Sequence, residues 1–170
     1  FFIYAALFEE ICLTEKQPEL VPSDPGDLNG KSAMILIHGF ALGDLCDEDS
    51  QTNHFQDLIS NPAWNELVSD SFQVFRYHYP VNRGLNASGA DLSRVLEETF
   101  APDTRFVFVC YSMGGVVARS AMELHGMYDR VDQIITIGSP HPGTTWAYVD
   151  EAIVGDWPFR LLPHQASSRD

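Results

Sequence analysis

The stretch Phe106-Val107-Phe108-Val109-Cys110-Tyr111-Ser112-Met113-Gly114-Gly115-Val116-Val117-Ala118-Arg119 decides the fold. Its first residues are a short apolar run with no helical period, the pattern of a strand buried on both faces. The run leads into a serine, and small residues follow where a helix must begin within one turn. A serine on so sharp a strand-to-helix turn is held in strained backbone geometry that lifts its hydroxyl out of the sheet, and bulky neighbours two positions away would collide with it. Gly114 meets that need on one side and the small Cys110 on the other. The helix N-terminus beneath Ser112 also favours negative charge developing nearby.

Outward from this turn, strand and helix patterns alternate. Ser32 to His38 (SAMILIH) is a nearly continuous apolar run, predicted to be a central parallel strand. His54 to Val68 suits a helix interrupted near Asn61-Pro62. Phe72 to Tyr79, rich in aromatic and β-branched residues and ended by Pro80, is predicted to be a second strand. Asn86 or Ser88 can cap a helix whose apolar face carries Leu92, Val95, Leu96 and Phe100. Arg105 to Cys110 is a third strand, Met113 to His125 a helix, and Val131 to Gly138 a fourth strand, followed by the loop Ser139 to Thr145. Alternation of this kind is the signature of βαβ crossovers and a mostly parallel sheet flanked by helices, an α/β fold. Gln17 to Lys31, punctuated by Pro18, Pro22, Pro25, Gly26 and Gly30, is predicted to be a surface loop.

Bulk properties narrow the function. The 170 residues, 45% of them hydrophobic, suffice for one domain with a single core. A net charge of −14, with no two basic residues adjacent, argues against nucleic acid as a partner. Contact with a lipid interface would have to rest on apolar area, because an acidic surface is repelled by anionic lipid. Cys12, Cys46 and Cys110 lack the pairing of a disulfide framework or a zinc site. Asp44, Asp47, Glu48 and Asp49 match no calcium-loop spacing and are expected to form a solvated loop, and neither metal nor organic cofactor is expected. Asn86-Ala87-Ser88 is a glycosylation sequon, meaningful only in a secreted protein. Phe1 to Phe8 is apolar but too short to span a bilayer and is expected to be a buried helix or edge strand.

The segment YSMGGVVAR, from Tyr111 to Arg119, resembles the nucleophile turn of the lipase-like branch of the α/β-hydrolases, commonly written glycine, histidine, serine, methionine, glycine, glycine. It departs at Cys110 and Tyr111. Two further motifs share the resemblance. Ile35-Leu36-Ile37-His38-Gly39-Phe40 is a strand ending in His-Gly, and a glycine there permits a backbone turn that can aim the next amide at an oxyanion. Ile134-Ile135-Thr136-Ile137-Gly138-Ser139-Pro140-His141-Pro142-Gly143-Thr144 is similar to the family's strand and loop beside the pocket. The resemblance implies that Ser112 is the nucleophile and that the Phe40 and Met113 amides form the oxyanion hole. His38, Gly39, Gly114 and His141 then shape the site, His38 as a structural hydrogen-bonder.

A serine hydrolase also needs a histidine base and an orienting carboxylate, in the chain order Ser, acid, His for this fold. Asp132, Asp150, Glu151 or Asp156 followed by His164 satisfies the order, and His141 does so only after Asp132 or an earlier acid. Since no buried strand is predicted beyond Gly138, the base and acid are expected beyond Asp170, with His164 the lesser candidate. The expected organisation is residues 1–31 as an N-terminal extension and loop, 32–148 as the nucleophile half of an α/β-hydrolase core, and 149–170 as the start of a lid. The resemblance implies hydrolysis of carboxylic, lipid or other acyl, esters. Acyl transfer by the same nucleophile, or a binding scaffold without a working triad, are the alternatives. The incomplete sheet would leave an open edge for a protein partner to cover.

Overall fold

The computed structural model describes residues 17–23, 28, 30–40, 55–81 and 84–143. The apolar N-terminal run, the acidic cluster at 44–49, the predicted lid segment and His164 lie outside them.

Five strands form one sheet: β1 (Glu19–Pro22), β2 (Ser32–Ile37), β3 (Phe72–His78), β4 (Phe106–Tyr111) and β5 (Val131–Ile137), in the spatial order β1-β3-β2-β4-β5. The four strands predicted from sequence are mutually parallel, β2 pairing with β3 on one side and β4 on the other, and β4 with β5. The continuous apolar runs of β2 and β4 are explained by this position. Ala33, Ile35, Ile37, Phe106, Phe108 and Cys110 join the core on one face, while Met34, Leu36, Val107 and Val109 join it on the other.

Helices cover both faces. On one, α1 (Gln56–Ile59) and α2 (Pro62–Val68) place Leu58, Ile59, Trp64 and Val68 against the sheet. The predicted break falls between them: Asn61 caps α2 by accepting a bond from the Ala63 N–H at 3.0 Å, and Pro62, at the first helical position, has no N–H to leave unpaired. On the other, α3 (Leu85–Thr99) and α4 (Met113–Leu124) pack against each other and bury Leu92, Val95, Leu96, Val117, Ala118 and Ala121. None of the helices among the described residues is long and apolar enough to cross a membrane.

Two expectations are corrected. Part of the predicted loop between Gln17 and Lys31 is the antiparallel strand β1, with Glu19 opposite His78 and Pro22 opposite Phe75. Pro22 is tolerated there because β1 is an outer strand whose N–H groups need not all be paired. The N-terminal cap of α3 is Gly84, and both Asn86 and Ser88 lie inside the helix. Ser88 is buried, and the Asn86 side-chain oxygen is 2.8 Å from His125 Nε2.

Along the chain, β3 is laid on one side of β2 and β4 on the other. The connection therefore reverses direction at the β2–β4 boundary, and the helices leaving these strands diverge to opposite faces of the sheet. In open parallel sheets, a crevice forms beyond the carboxyl ends of the strands at such a point.

Candidate active site

The His38-Gly39 turn and the serine turn meet at that boundary. β2 and β4 are in register with Ile37 opposite Cys110, so two residues further on Gly39 faces Ser112. A Cβ on Gly39 would lie 2.7 Å from Ser112 Cβ, 2.9 Å from the Tyr111 carbonyl oxygen and 3.1 Å from Tyr111 Cδ1. Real Cβ atoms do not approach this closely, so only glycine lets the β2 turn rest on the serine.

Ser112 has φ 49° and ψ −121°, the one positive φ outside glycine among the described residues. Such a conformation costs about 1–3 kcal/mol and persists only where its surroundings hold it. The surroundings are visible. The Ser112 N–H donates to the Ile137 carbonyl of β5 at 2.8 Å, and its own carbonyl accepts from the Gly115 N–H at 3.2 Å as α4 begins. Gly114 lies against β2, where an added Cβ would meet the His38 carbonyl oxygen at 2.5 Å. Chain on both sides of the serine is thus tied to a neighbouring strand. Ser112 itself is only half-buried.

The Met113 N–H belongs to the first residue of α4 and has no acceptor within the helix, while the Met113 side chain is buried. Phe40 packs its ring partly against the core. Their two backbone segments are the ones that converge where Gly39 touches Ser112.

His38 is 3% exposed and engaged at both ring nitrogens. Nδ1 is 2.9 Å from the Gly39 carbonyl oxygen, which can only accept, and Nε2 is 3.4 Å from the Tyr79 N–H, which can only donate. Only the neutral tautomer with the proton on Nδ1 satisfies both. Its ring stacks on Tyr79 at 4.3 Å between centroids. An imidazole held in this way offers its Nε2 lone pair to the Tyr79 N–H and not to a serine proton.

Burial pushes the Cys110 thiol well above the usual thiol range, so it stays protonated and inert beneath the serine. Beyond the rim, Tyr111 is exposed at the end of β4, opposite the exposed Ile137 of β5.

His141 sits in the turn after β5, its N–H donating to the Ser139 carbonyl at 2.9 Å, half-buried, with no hydrogen-bond partner for Nδ1 among the described residues. Ser139 itself approaches the site side of α4, its side chain filling the space where Gly115 carries no Cβ. Asp132, of the four named acids the one within the described residues, is at the opposite end of β5 from Ile137. There it pairs with Arg105, whose Nε is 2.8 Å from the carboxylate. Five residue-to-residue steps along β5, roughly 16 Å, separate it from the serine's end of the sheet. It is therefore not placed to orient a base at Ser112.

Sequence reasoning missed Tyr79, which it took only as the end of a strand. The signal lay in the register: β2 and β3 pair with Ile37 opposite Tyr77, so Tyr79 falls opposite Gly39.

A family profile described as "PGAP1-like alpha/beta domain" matches residues 77–154. No curated protein sequence matches the chain. Among solved structures, the mature form of the Bacillus licheniformis lipase BlEst2 is similar at 23% identity and a TM-score of 0.58, over 79% of this chain and 52% of that one. Its propeptide form gives 21% identity and a TM-score of 0.58, over 77% of this chain and 28% of that one. YbtT, a type II thioesterase from the yersiniabactin NRPS/PKS biosynthetic pathway, is similar at 17% identity and a TM-score of 0.53, over 79% and 54%. The chain thus spans about half the length of the mature lipase and of the thioesterase.

Proposed function

The chain has the α/β-hydrolase fold, and we propose that it supplies the nucleophile and oxyanion half of a serine hydrolase acting on carboxylic esters. The observation that carries this reading is the backbone of Ser112, strained at φ 49° between a parallel strand and a helix. Strain of this kind has no packing benefit of its own and is found where a side chain must be presented.

In the proposed reaction, Ser112 Oγ attacks the acyl carbonyl carbon, and its proton passes to a histidine that follows it in the chain order of this fold. Negative charge develops on the carbonyl oxygen, and the Phe40 and Met113 N–H groups stabilise it. The alcohol leaves, and water then releases the acyl group from the serine. His38, Gly39 and Gly114 fix the donors and His141 flanks the site. Substrates with an apolar acyl portion are favoured, since Tyr111 and Ile137 are exposed beside the serine. No step calls for a metal or organic cofactor.

The test is a fluorophosphonate probe and a series of p-nitrophenyl esters applied to the full-length protein and its Ser112→Ala variant. Labelling mapped to Ser112 and ester turnover, both lost in the variant, are expected. Labelling that persists in Ser112→Ala would move the nucleophile elsewhere.

A further inference from the structure

The oxyanion donor proposed at Phe40 depends on how two successive peptide planes, 38–39 and 39–40, are held. The Phe40 N–H and the Gly39 carbonyl belong to the same peptide unit, so whatever fixes that carbonyl aims that N–H. His38 Nδ1 donates to it at 2.9 Å. The preceding plane is fixed at the His38 carbonyl, which accepts from the Tyr79 phenol at 2.9 Å and abuts Gly114 on its other side. Tyr79 also sets the imidazole tautomer through its own N–H on Nε2 and stacks on the ring.

We propose that Tyr79 is a positioning residue for the oxyanion turn, holding both peptide planes between β2 and the nucleophile turn so that the Phe40 N–H faces the developing charge. It touches no substrate; it acts through His38. Three of its groups bear on one residue: the phenol on the carbonyl, the N–H on the ring nitrogen and the ring face on the imidazole face. Tyr79 is 2% exposed, in a fully enclosed setting. Burial, with Tyr77 and Cys110 nearby, raises its hydroxyl well above the usual phenol range, so it remains a donor wherever an esterase is assayed. Hydrogen bonds in series also polarise one another, so the bond from His38 to the Gly39 carbonyl strengthens the Phe40 N–H as a donor.

This inference rests on the serine-hydrolase reading, and the experiment separates the two. Tyr79→Phe removes a single oxygen and keeps the stacked ring. In the full-length protein, active sites are counted by fluorophosphonate titration, and kcat is expressed per titrated site. The expected result is a fall in kcat of about 10-fold, with KM within about 2-fold of wild type, because misplacing one preorganised donor weakens transition-state binding alone. Affinity for a boronic acid that forms a tetrahedral adduct should fall by the same factor. In a ¹⁵N-labelled sample the Phe40 amide resonance should shift, a readout that needs no turnover. His38→Ala should lower kcat in the same way, and the double variant should lose less than the product of the two, since both act on one turn.

A purely structural Tyr79 would lower the melting temperature and the number of titratable sites, while leaving kcat per site, boronate affinity and the Phe40 resonance unchanged. That outcome overturns the proposal while the hydrolase reading stands. A wild-type protein that neither labels at Ser112 nor turns over ester defeats both. If Tyr79→Phe fails to fold, His38→Ala decides: unchanged kcat per site would overturn the role of the turn.

Discussion

Replacing Gly114 by alanine sets two effects of opposite sign against each other. Gly114 is the second residue of α4, with ordinary helical backbone, and helix propensity alone predicts that Gly→Ala there stabilises by up to about 1 kcal/mol. Packing predicts the reverse. The new methyl carbon would sit 2.5 Å from the His38 carbonyl oxygen and 2.9 Å from the Ile37 carbonyl carbon, whereas ordinary contact begins at 3.4 Å. The shortfall is about 1 Å, and neither atom belongs to a flexible side chain that could swing away. Overpacking of this kind costs about 1–3 kcal/mol, so the variant should be destabilised by up to about 2 kcal/mol after the helical gain is subtracted. The effect on reactivity should be larger than the effect on stability. Relief of the clash moves the nucleophile turn away from the His38-Gly39 turn, and an error near 1 Å between a nucleophile and its oxyanion donors costs on the order of 10²-fold. Urea unfolding gives the first quantity, and the second-order rate of fluorophosphonate labelling at Ser112 gives the second. A Gly114→Ala protein that is more stable than wild type and labels at the wild-type rate would refute the close approach of α4 to β2 as the basis of the site.

Other outcomes follow from the same geometry. Ser112→Gly should be more stable than Ser112→Ala by about 1 kcal/mol in denaturant unfolding, because only glycine adopts φ 49° without strain, though both variants are inactive; equal stabilities would show that the turn stores no strain. Phe40→Ala should retain most ester turnover while Gly39→Val loses about 10²-fold or more in kcat, the donors being backbone amides and the glycine lying against Ser112; wild-type rates in Gly39→Val would detach this turn from the reaction. Asp132→Asn should leave kcat and its pH profile unchanged, since its partner is Arg105 at the far end of β5; a loss approaching that of Ser112→Ala would make Asp132 the triad acid. Peptide mapping after alkylation at pH 8 should find Cys110 unmodified in the native protein and modified in urea, its thiol being buried and held protonated.

The elements most legible in the sequence are those whose pattern is local. SAMILI and FVFVCY have the pattern of strands buried on both faces, and β2 and β4 are where those runs predict them. The sharp strand-to-helix turn at Ser112 was equally plain, because a strand, a serine and two glycines before an apolar helix leave few other geometries. β1 was hidden by Pro22 and the turn residues around it: an outer strand of four residues, paired on one side, needs no apolar alternation to persist. The cap of α3 was misplaced because Asn and Ser are good caps wherever they stand near a helix start, and here Ser88 is drawn into the core.

By itself, then, the chain's order of apolar runs and turn residues determined that a mostly parallel sheet would form and that Ser112 would stand at the end of one of its strands. Periodicity and turn chemistry act over a few residues, and those signals survive in one dimension. Which strand lies beside which is a matter of pairing across some 70 residues, and only the folded sheet decides it. The placement of β4 next to β2 brings Gly39 onto Ser112 and lays Gly114 against His38, and β3 on the other side of β2 sets Tyr79 over the imidazole. The pairing of β5 with β4 separates Asp132 from the serine by the length of a strand, although Asp132 follows Ser112 in an order that would suit a triad. Chain order can say which residues are eligible for a site. Register and the side of the sheet each connection takes decide which of them meet, because a hydrogen-bonded ladder fixes positions to within an ångström while sequence separation fixes nothing about distance.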